Sequence, residues 1–203
     1  ACKENGYKIE NTNNCYYSTP IYYFLDSDNL YKKCYDSCLE CSGVGDSTNH
    51  KCLTCKDSSY KKIYNTNNCV TSPPQYYYES GNEYRPCYST CDTCSGDGSS
   101  TDNKCNSCRD SNILIYGTQN CVSQVPDHFY YDSHSNTYKE CDASCKSCSD
   151  SANNCIQCDY DNNYYPKEGT STPCYNTKPE RNYYLDINNK EYRECYSTCP
   201  TCS

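Results

Sequence analysis

Residues 34–70 read CYDSCLECSGVGDSTNHKCLTCKDSSYKKIYNTNNCV, six cysteines spaced C-x3-C-x2-C-x10-C-x2-C-x13-C. Between the first and the sixth cysteine the only aliphatic residues are Leu39, Val44, Leu53 and Ile63. Such a stretch has too little oil to collapse and must be held by its sulfurs. The whole chain follows suit. Ile, Leu, Val and Phe total 19 of 203 residues, Trp and Met are absent, and Cys and Tyr number 23 and 26. That aliphatic share is under half of the roughly 20% below which chains usually fail to build a core. A disulfide adds about 2–4 kcal/mol by restricting the unfolded chain, and Tyr buries ring area while its hydroxyl stays hydrogen-bonded. The expectation is a small disulfide-rich fold in an oxidising compartment, secreted or on the cell surface.

Working outward, the phrase recurs. Cys87, Cys91, Cys94, Cys105, Cys108 and Cys121 repeat the six, as do Cys141, Cys145, Cys148, Cys155, Cys158 and Cys174, with the central spacer cut from ten residues to six. First cysteines Cys34, Cys87, Cys141 and Cys195 step by 53, 54 and 54 residues. Cys2 and Cys15 match a fifth and sixth cysteine; Cys195, Cys199 and Cys202 match a first, second and third. The expected organisation is a partial repeat over 1–33, repeats over 34–86, 87–140 and 141–194, and a second partial repeat over 195–203. The odd cysteine count is then expected from a window cut out of a longer array.

The cysteine-free tails share a second phrase: YYFLDSDNLYKKC (22–34), YYYESGNEYRPC (76–87), FYYDSHSNTYKEC (129–141) and YYLDINNKEYREC (183–195). An aromatic run, an acid (Asp26, Glu79, Asp132, Asp186), a polar turn and then Tyr–basic–x–Cys predict a short hairpin. The Tyr in question is Tyr31, Tyr84, Tyr138 or Tyr192. The segment between the fifth and sixth cysteines predicts a second hairpin around an Asn- or Gly-containing turn. No helical stripe of apolar residues survives more than a turn. Units in which each touches its neighbours imply an elongated, quasi-one-dimensional rod.

Seven C-x2-C pairs raise zinc as an alternative, since C-x2-C-x6–10-C-x2-C is a four-thiolate spacing. Four ligands would strand the first and sixth cysteines, and a spacer shrinking from ten to six suits a disulfide loop better than a metal site. Disulfides are therefore favoured, with no metal or other cofactor. Six cysteines allow 15 connectivities, and spacing does not choose.

CYDSCLECSG…KCLTCKDSSY…NNCV, CYSTCDTCSG…KCNSCRD…QNCV and the YYxD…Y tails resemble furin-like repeats, the cysteine-rich modules of growth-factor receptors, furin-type proteases and protist surface proteins. The resemblance covers essentially the whole chain. It departs in lacking a further cysteine pair, present in many members between the sixth and the next first cysteine. The resemblance implies pairing of first with third, second with fourth and fifth with sixth. Here that means Cys34–Cys41, Cys38–Cys52 and Cys55–Cys69, then Cys87–Cys94, Cys91–Cys105 and Cys108–Cys121, then Cys141–Cys148, Cys145–Cys155 and Cys158–Cys174. The ends give Cys2–Cys15 and Cys195–Cys202, with Cys199 left unpaired within the chain.

Catalysis has no visible equipment: no G-x-S-x-G, no H-E-x-x-H, and three scattered histidines (His50, His128, His134) expected on the surface. The chain is read as not an enzyme. Asp26/Asp28 and Asp159/Asp161 lack the Gly and Glu of a calcium loop and are expected in solvated turns. The net charge of −8 gives no reason to bind nucleic acid. The longest apolar run, Ile113–Ile115, cannot enter a membrane. No N-x-[ST] occurs among 23 Asn, so any sugar is expected O-linked, on loops 42–48 and 95–101.

The tyrosine doublets Tyr22/Tyr23, Tyr76/Tyr77, Tyr130/Tyr131 and Tyr183/Tyr184 are candidate contacts, one of each pair pointing outward if strand alternation holds. The functional reading is a structural extracellular protein that self-associates through tyrosine as a stalk, surface coat or filament. The alternative is a ligand-binding or antigenic cell-surface receptor ectodomain. That alternative would show one unit unlike the rest, and repeat 3, with KEGTSTP (167–173), is the most divergent in sequence.

Overall fold

The computed structural model describes residues 2–197 and Cys202. Contacts divide the chain into two compact units, residues 1–100 with 104–106, and residues 101–103 with 107–203.

The first unit opens with a four-stranded sheet made of two hairpins side by side. β1 (Tyr7–Ile9) pairs antiparallel with β2 (Cys15–Tyr16), and β3 (Tyr23–Leu25) with β4 (Leu30–Lys33). The inner strands β1 and β4 run parallel, Ile9 beside Tyr31. A two-stranded ribbon follows, β5 (Cys38–Cys41) against β6 (Cys52–Cys55), with an irregular register between Cys38↔Cys55 and Cys41↔Cys52. The sheet then recurs as β7 (Lys61–Ile63), β8 (Cys69–Val70), β9 (Tyr77–Ser80) and β10 (Glu83–Pro86), in order β8-β7-β10-β9. The next ribbon, β11 (Cys91–Cys94) and β12 (Cys105–Cys108), lies where the chain divides.

The second unit repeats the scheme. Its sheet comprises β13 (Ile113–Ile115), β14 (Cys121–Val122), β15 (Phe129–Asp132) and β16 (Thr137–Glu140). The ribbon is β17 (Cys145–Cys148) with β18 (Cys155–Cys158). A last hairpin, β19 (Tyr183–Asp186) with β20 (Glu191–Glu194), completes it. Here the hairpin beside β20 is reduced to bridges, Tyr165↔Tyr175 antiparallel and Lys167↔Tyr192 parallel. The only helix among the described residues is a 3-10 turn, Tyr160–Asn162.

Each inner turn is written the same way. Thr12, Thr66, Thr118 and Thr170 donate their backbone N–H back to the carbonyls of Ile9, Ile63, Ile115 and Lys167 at 3.0–3.1 Å. The residue before each Thr has positive φ: Asn11, Asn65, Gly117 and Gly169. A type II turn demands that conformation of its third residue, which Gly and Asn adopt most readily. The Thr hydroxyl bonds the same carbonyl at 2.8–2.9 Å. Residues 167–170, part of the divergent KEGTSTP, are therefore the ordinary turn of the repeat, and the extra length lies in the 3-10 turn and in Ser171–Pro173.

Sulfur takes the place of an aliphatic core. In repeat 1, Cys34, Cys38, Cys41, Cys52 and Cys69 form one buried cluster, with Phe24, Tyr35, Cys55 and Tyr60 packed against it. In repeat 3, Cys145, Cys148 and Cys155 do the same, with Tyr130 against them. Among the described residues the structure joins eleven disulfides. The first-to-third bridges are Cys34–Cys41, Cys87–Cys94, Cys141–Cys148 and Cys195–Cys202. The second-to-fourth are Cys38–Cys52, Cys91–Cys105 and Cys145–Cys155. The fifth-to-sixth are Cys2–Cys15, Cys55–Cys69, Cys108–Cys121 and Cys158–Cys174. Cα–Cα distances run from 5.1 Å at Cys38–Cys52 to 5.8 Å at Cys2–Cys15, inside the range a disulfide accepts. Cys199 lies outside the described residues.

His50 departs from the surface position expected of it. It is buried at 7% exposure, stacked on Tyr35 at 4.2 Å. Its Nδ1 accepts the backbone N–H of Cys69 at 3.2 Å and lies 2.8 Å from the Ser37 hydroxyl. Asn103 stands at the same place in repeat 2, and its side-chain oxygen accepts the Cys121 N–H at 2.8 Å. In both repeats the residue's own N–H donates to an Asn side chain, Asn68 or Asn120, at 2.8 Å. The position needs an acceptor for a buried N–H, and an imidazole or an amide supplies it. His50→Asn should therefore cost under about 1 kcal/mol, whereas His50→Leu, which strands the Cys69 N–H, should cost about 1–3 kcal/mol. Equal melting temperatures for the two variants would dismiss this account.

Asp159 also departs from the solvated turn expected of it: it is 2% exposed. Its Oδ2 accepts from the Asn162 amide at 2.5 Å and lies 3.9 Å from His128 Nε2. The remaining histidine, His134, is fully at the surface with 98% side-chain exposure.

Candidate interaction surface

The side-by-side hairpins bring three positions together at every joint between cysteine clusters. The first is the tail tyrosine: Tyr31, Tyr84, Tyr138 and Tyr192 are 3–5% exposed. Each gives its carbonyl to the N–H of the residue that follows the inner strand of the neighbouring hairpin: Glu10, Tyr64, Tyr116 or Glu168, at 2.8–2.9 Å. The second position is that neighbour. The third is the basic residue after the tyrosine, Lys32, Arg85, Lys139 or Arg193, which strand alternation turns to the opposite face from the buried ring.

The basic residue finds different company at each joint. Lys32 pairs with Asp26 at 2.5 Å and Asp28 at 2.9 Å. Arg85 pairs with Glu83 at 2.6 Å and Asp97 at 3.1 Å, and stacks over the Tyr64 ring at 4.9 Å. Lys139 pairs with Asp132 at 2.5 Å and sits over the Tyr116 ring at 5.4 Å. Arg193 pairs with Glu191 at 2.8 Å, Asp186 at 3.4 Å and Glu168 at 3.6 Å. Partially exposed pairs of this kind contribute little stability individually. Their effect on the carboxylates is clear in direction: the Lys139 ammonium holds Asp132 well below the usual carboxylate range, and the Lys32 ammonium lowers Asp26. The surface is thus a mixed one, paired charges beside half-exposed tyrosine rings.

The tyrosine doublets do not share one position. Tyr22 and Tyr76 precede their strands and hold positive φ, 71° and 67°, so alternation along a strand does not govern them. Tyr23 and Tyr77 open β3 and β9 and are half-buried. Tyr130 and Tyr131 both lie within β15, Tyr130 half-buried and Tyr131 exposed at 44%. Tyr183 and Tyr184 lie within β19 and are both half-buried. Of the eight, Tyr22 and Tyr131 are the open ones. Sequence reasoning passed over Tyr64 and Tyr116, 39% and 65% exposed. The place of each, directly after an Ile-ended strand and before Asn-Thr or Gly-Thr, would have marked it. Among the described residues no three His, Cys, Asp or Glu side chains group to hold a metal ion, and no helix is long and apolar enough to cross a membrane.

Three bridges per repeat, an irregular cysteine ribbon and paired hairpins define a tandem array of furin-like cysteine-rich repeats. The chain is similar to Cysteine repeat modular protein 2 of Tetrahymena thermophila, 32% identical over 154 residues, 74% of this chain and 8% of that protein. It is also similar to the human Extracellular matrix organizing protein FRAS1, 31% identical over 158 residues, 76% of this chain and 4% of that one. Furin-like protease 2 of Drosophila melanogaster is 29% identical over 176 residues, 85% of this chain and 10% of the protease. The chain thus spans a tenth or less of each of these relatives. No family model matches, and no solved structure matches.

Proposed function

We propose that the chain is a structural segment of an extracellular assembly, a stalk, surface coat or filament, whose copies meet through exposed tyrosine. The observation that carries this reading is the joint: one buried tyrosine in a hairpin sheet, built four times and four-stranded in three of them, with Tyr22 and Tyr131 left open beside it at 40% and 44% exposure. Tyrosine supplies contact area at low entropy cost and tolerates both water and apolar partners, which suits a repeated weak contact. The name of the human relative, an extracellular matrix organizing protein, is in keeping with such a role.

The test is sedimentation of the oxidised chain over a wide concentration range. Concentration-dependent oligomers are expected, and weaker ones for Tyr22→Asn/Tyr131→Thr, since Asn accepts the left-handed backbone of Tyr22 and Thr suits a strand. A chain that stays monomeric throughout, or an association indifferent to both substitutions, overturns the proposal.

A further inference from the structure

The geometry points to a binding site for a neutral sugar residue at the joint of repeat 1, between β10 and the loop after Cys94. A cavity of about 400 Å³ opens there, lined by Tyr64, Arg85, Tyr88 and Asp97 among others. Arg85 is held flat by Glu83, which takes both Nε and Nη2 at 2.6 Å, while Nη1 reaches Asp97 at 3.1 Å. The other Asp97 oxygen accepts the Tyr78 hydroxyl at 2.6 Å. That bond is the main influence lowering the Asp97 carboxyl below its ordinary value. The result is a fixed chain of donors and acceptors beside two tyrosine rings.

The chemistry of the cluster selects its ligand. The single cation already faces two carboxylates, so an anion entering the cavity meets net negative charge. A cation must compete with a guanidinium in place. A polyol does neither: adjacent hydroxyls donate to Asp97 and accept from the unused Arg85 N–H bonds, a planar pairing that rigid side chains make favourable. The C–H face of a pyranose rests on an aromatic ring, and the Tyr64 ring is covered by Arg85 on one side and 39% exposed.

The sister repeats separate this arrangement from the needs of the fold. Repeat 1 builds the same loop with Val44 where repeat 2 has Asp97. Glu10 and Glu168 occupy the Tyr64 position at other joints. Both substitutions are therefore compatible with the architecture. The inference is independent of self-association and concerns a different surface from Tyr22 and Tyr131.

The oxidised chain is titrated, by saturation-transfer and chemical-shift NMR, with the methyl glycosides of glucose, mannose, galactose and N-acetylglucosamine. At least one should bind with the millimolar dissociation constant natural to a ligand of that size. Asp97→Val and Tyr64→Glu should each weaken binding about tenfold or more, with near-UV circular dichroism and disulfide content unchanged. The inference is overturned if none of the four binds, if binding survives both substitutions, or if only sulfated or sialylated glycans bind.

Discussion

Replacing Cys38 and Cys52 together by Ala is expected to cost repeat 1 about 3–5 kcal/mol. The replacement Cys55→Ala/Cys69→Ala is expected to cost about 1 kcal/mol less. The two bridges span identical sequence separations, 14 residues each, so the chain-entropy contribution, about 3 kcal/mol for a loop of that length, is common to both. They differ in packing. Cys38 and Cys52 are both in the middle of the sulfur cluster, 1% and 0% exposed, whereas of the second pair Cys69, 1% exposed, lies in the cluster and Cys55 packs against it from its half-buried edge. In a repeat with almost no aliphatic side chains, two sulfurs are a large part of the interior. Removing them leaves a void lined by Ser37, which lies 3.7 Å from the Cys52 sulfur, and by the remaining cysteines. The double substitutions avoid a free thiol that could exchange with neighbouring bridges.

Hydrogen exchange is the measurement of choice, because loss should be local. Protection of β5 and β6 should fall, while β13 to β16 keep theirs, as in arrays whose units are stabilised separately. Equal costs for the two pairs would mean that sulfur packing contributes nothing beyond loop closure. A loss spread evenly over the chain would mean that the repeats are not the cooperative units.

The same contrast of loop and packing explains what could be read before the structure. Cysteine spacing and the tail phrase are local signals. They placed a hairpin at 23–33 and another at 113–122, because aromatic–turn–Tyr and strand–Gly–strand are decided within a dozen residues. The parallel contact of Ile9 with Tyr31, or of Ile115 with Tyr138, joins strands from two different hairpins. Nothing in either hairpin names the other. The cysteine ribbon was missed for another reason. Cys-Leu-Glu-Cys and Cys-Leu-Thr-Cys are too short to show alternation, and their pairing is imposed by the bridges around them. His50 looked like a surface residue because a lone His in a polar loop carries no sign of burial. Only its alignment with Asn103, two residues before the fourth cysteine in each case, hints at a shared acceptor role. The outward reading of the tyrosine doublets meets an open ring at Tyr22 and Tyr131, whereas both members of Tyr76/Tyr77 and of Tyr183/Tyr184 are half-buried; Tyr22 and Tyr76 lie before their strands with positive φ, where strand alternation does not apply. Each gives its carbonyl to the first cysteine's N–H, at 2.8 Å in both. The candidate site was the least legible part. Arg85, Asp97 and Tyr64 are separated by up to 33 positions, and each belongs to a different motif.

Tyr31→Ala is expected to cost about 3–5 kcal/mol, and Tyr84→Ala about 0.5–1.5 kcal/mol less. Both side chains are 3% exposed and occupy the same place in their sheets, Tyr31 beside Ile9 and Tyr84 beside Ile63. Truncation of either removes a buried aromatic ring from the joint. The backbone bonds from Glu10 to Tyr31 and from Tyr64 to Tyr84 survive in the variants, so the comparison isolates the ring. What differs is the residue two before the Ile. At the first joint it is Tyr7, whose ring meets Tyr31 edge-on at 6.0 Å and 86°. At the second it is Lys61, whose ammonium turns away to Glu79 and the Gly81 carbonyl. An edge-to-face pair adds about 0.5–1.5 kcal/mol beyond burial, and that increment should be the gap between the two variants. Tyr7→Lys/Tyr31→Ala, which gives the first joint the partner of the second, should lose the difference. Denaturant titration followed by exchange of the Glu10 and Tyr64 amides reads each joint separately. If Tyr31→Ala costs no more than truncation of the exposed Tyr17, the joints are held by the disulfides on either side, and the tyrosines serve contact alone.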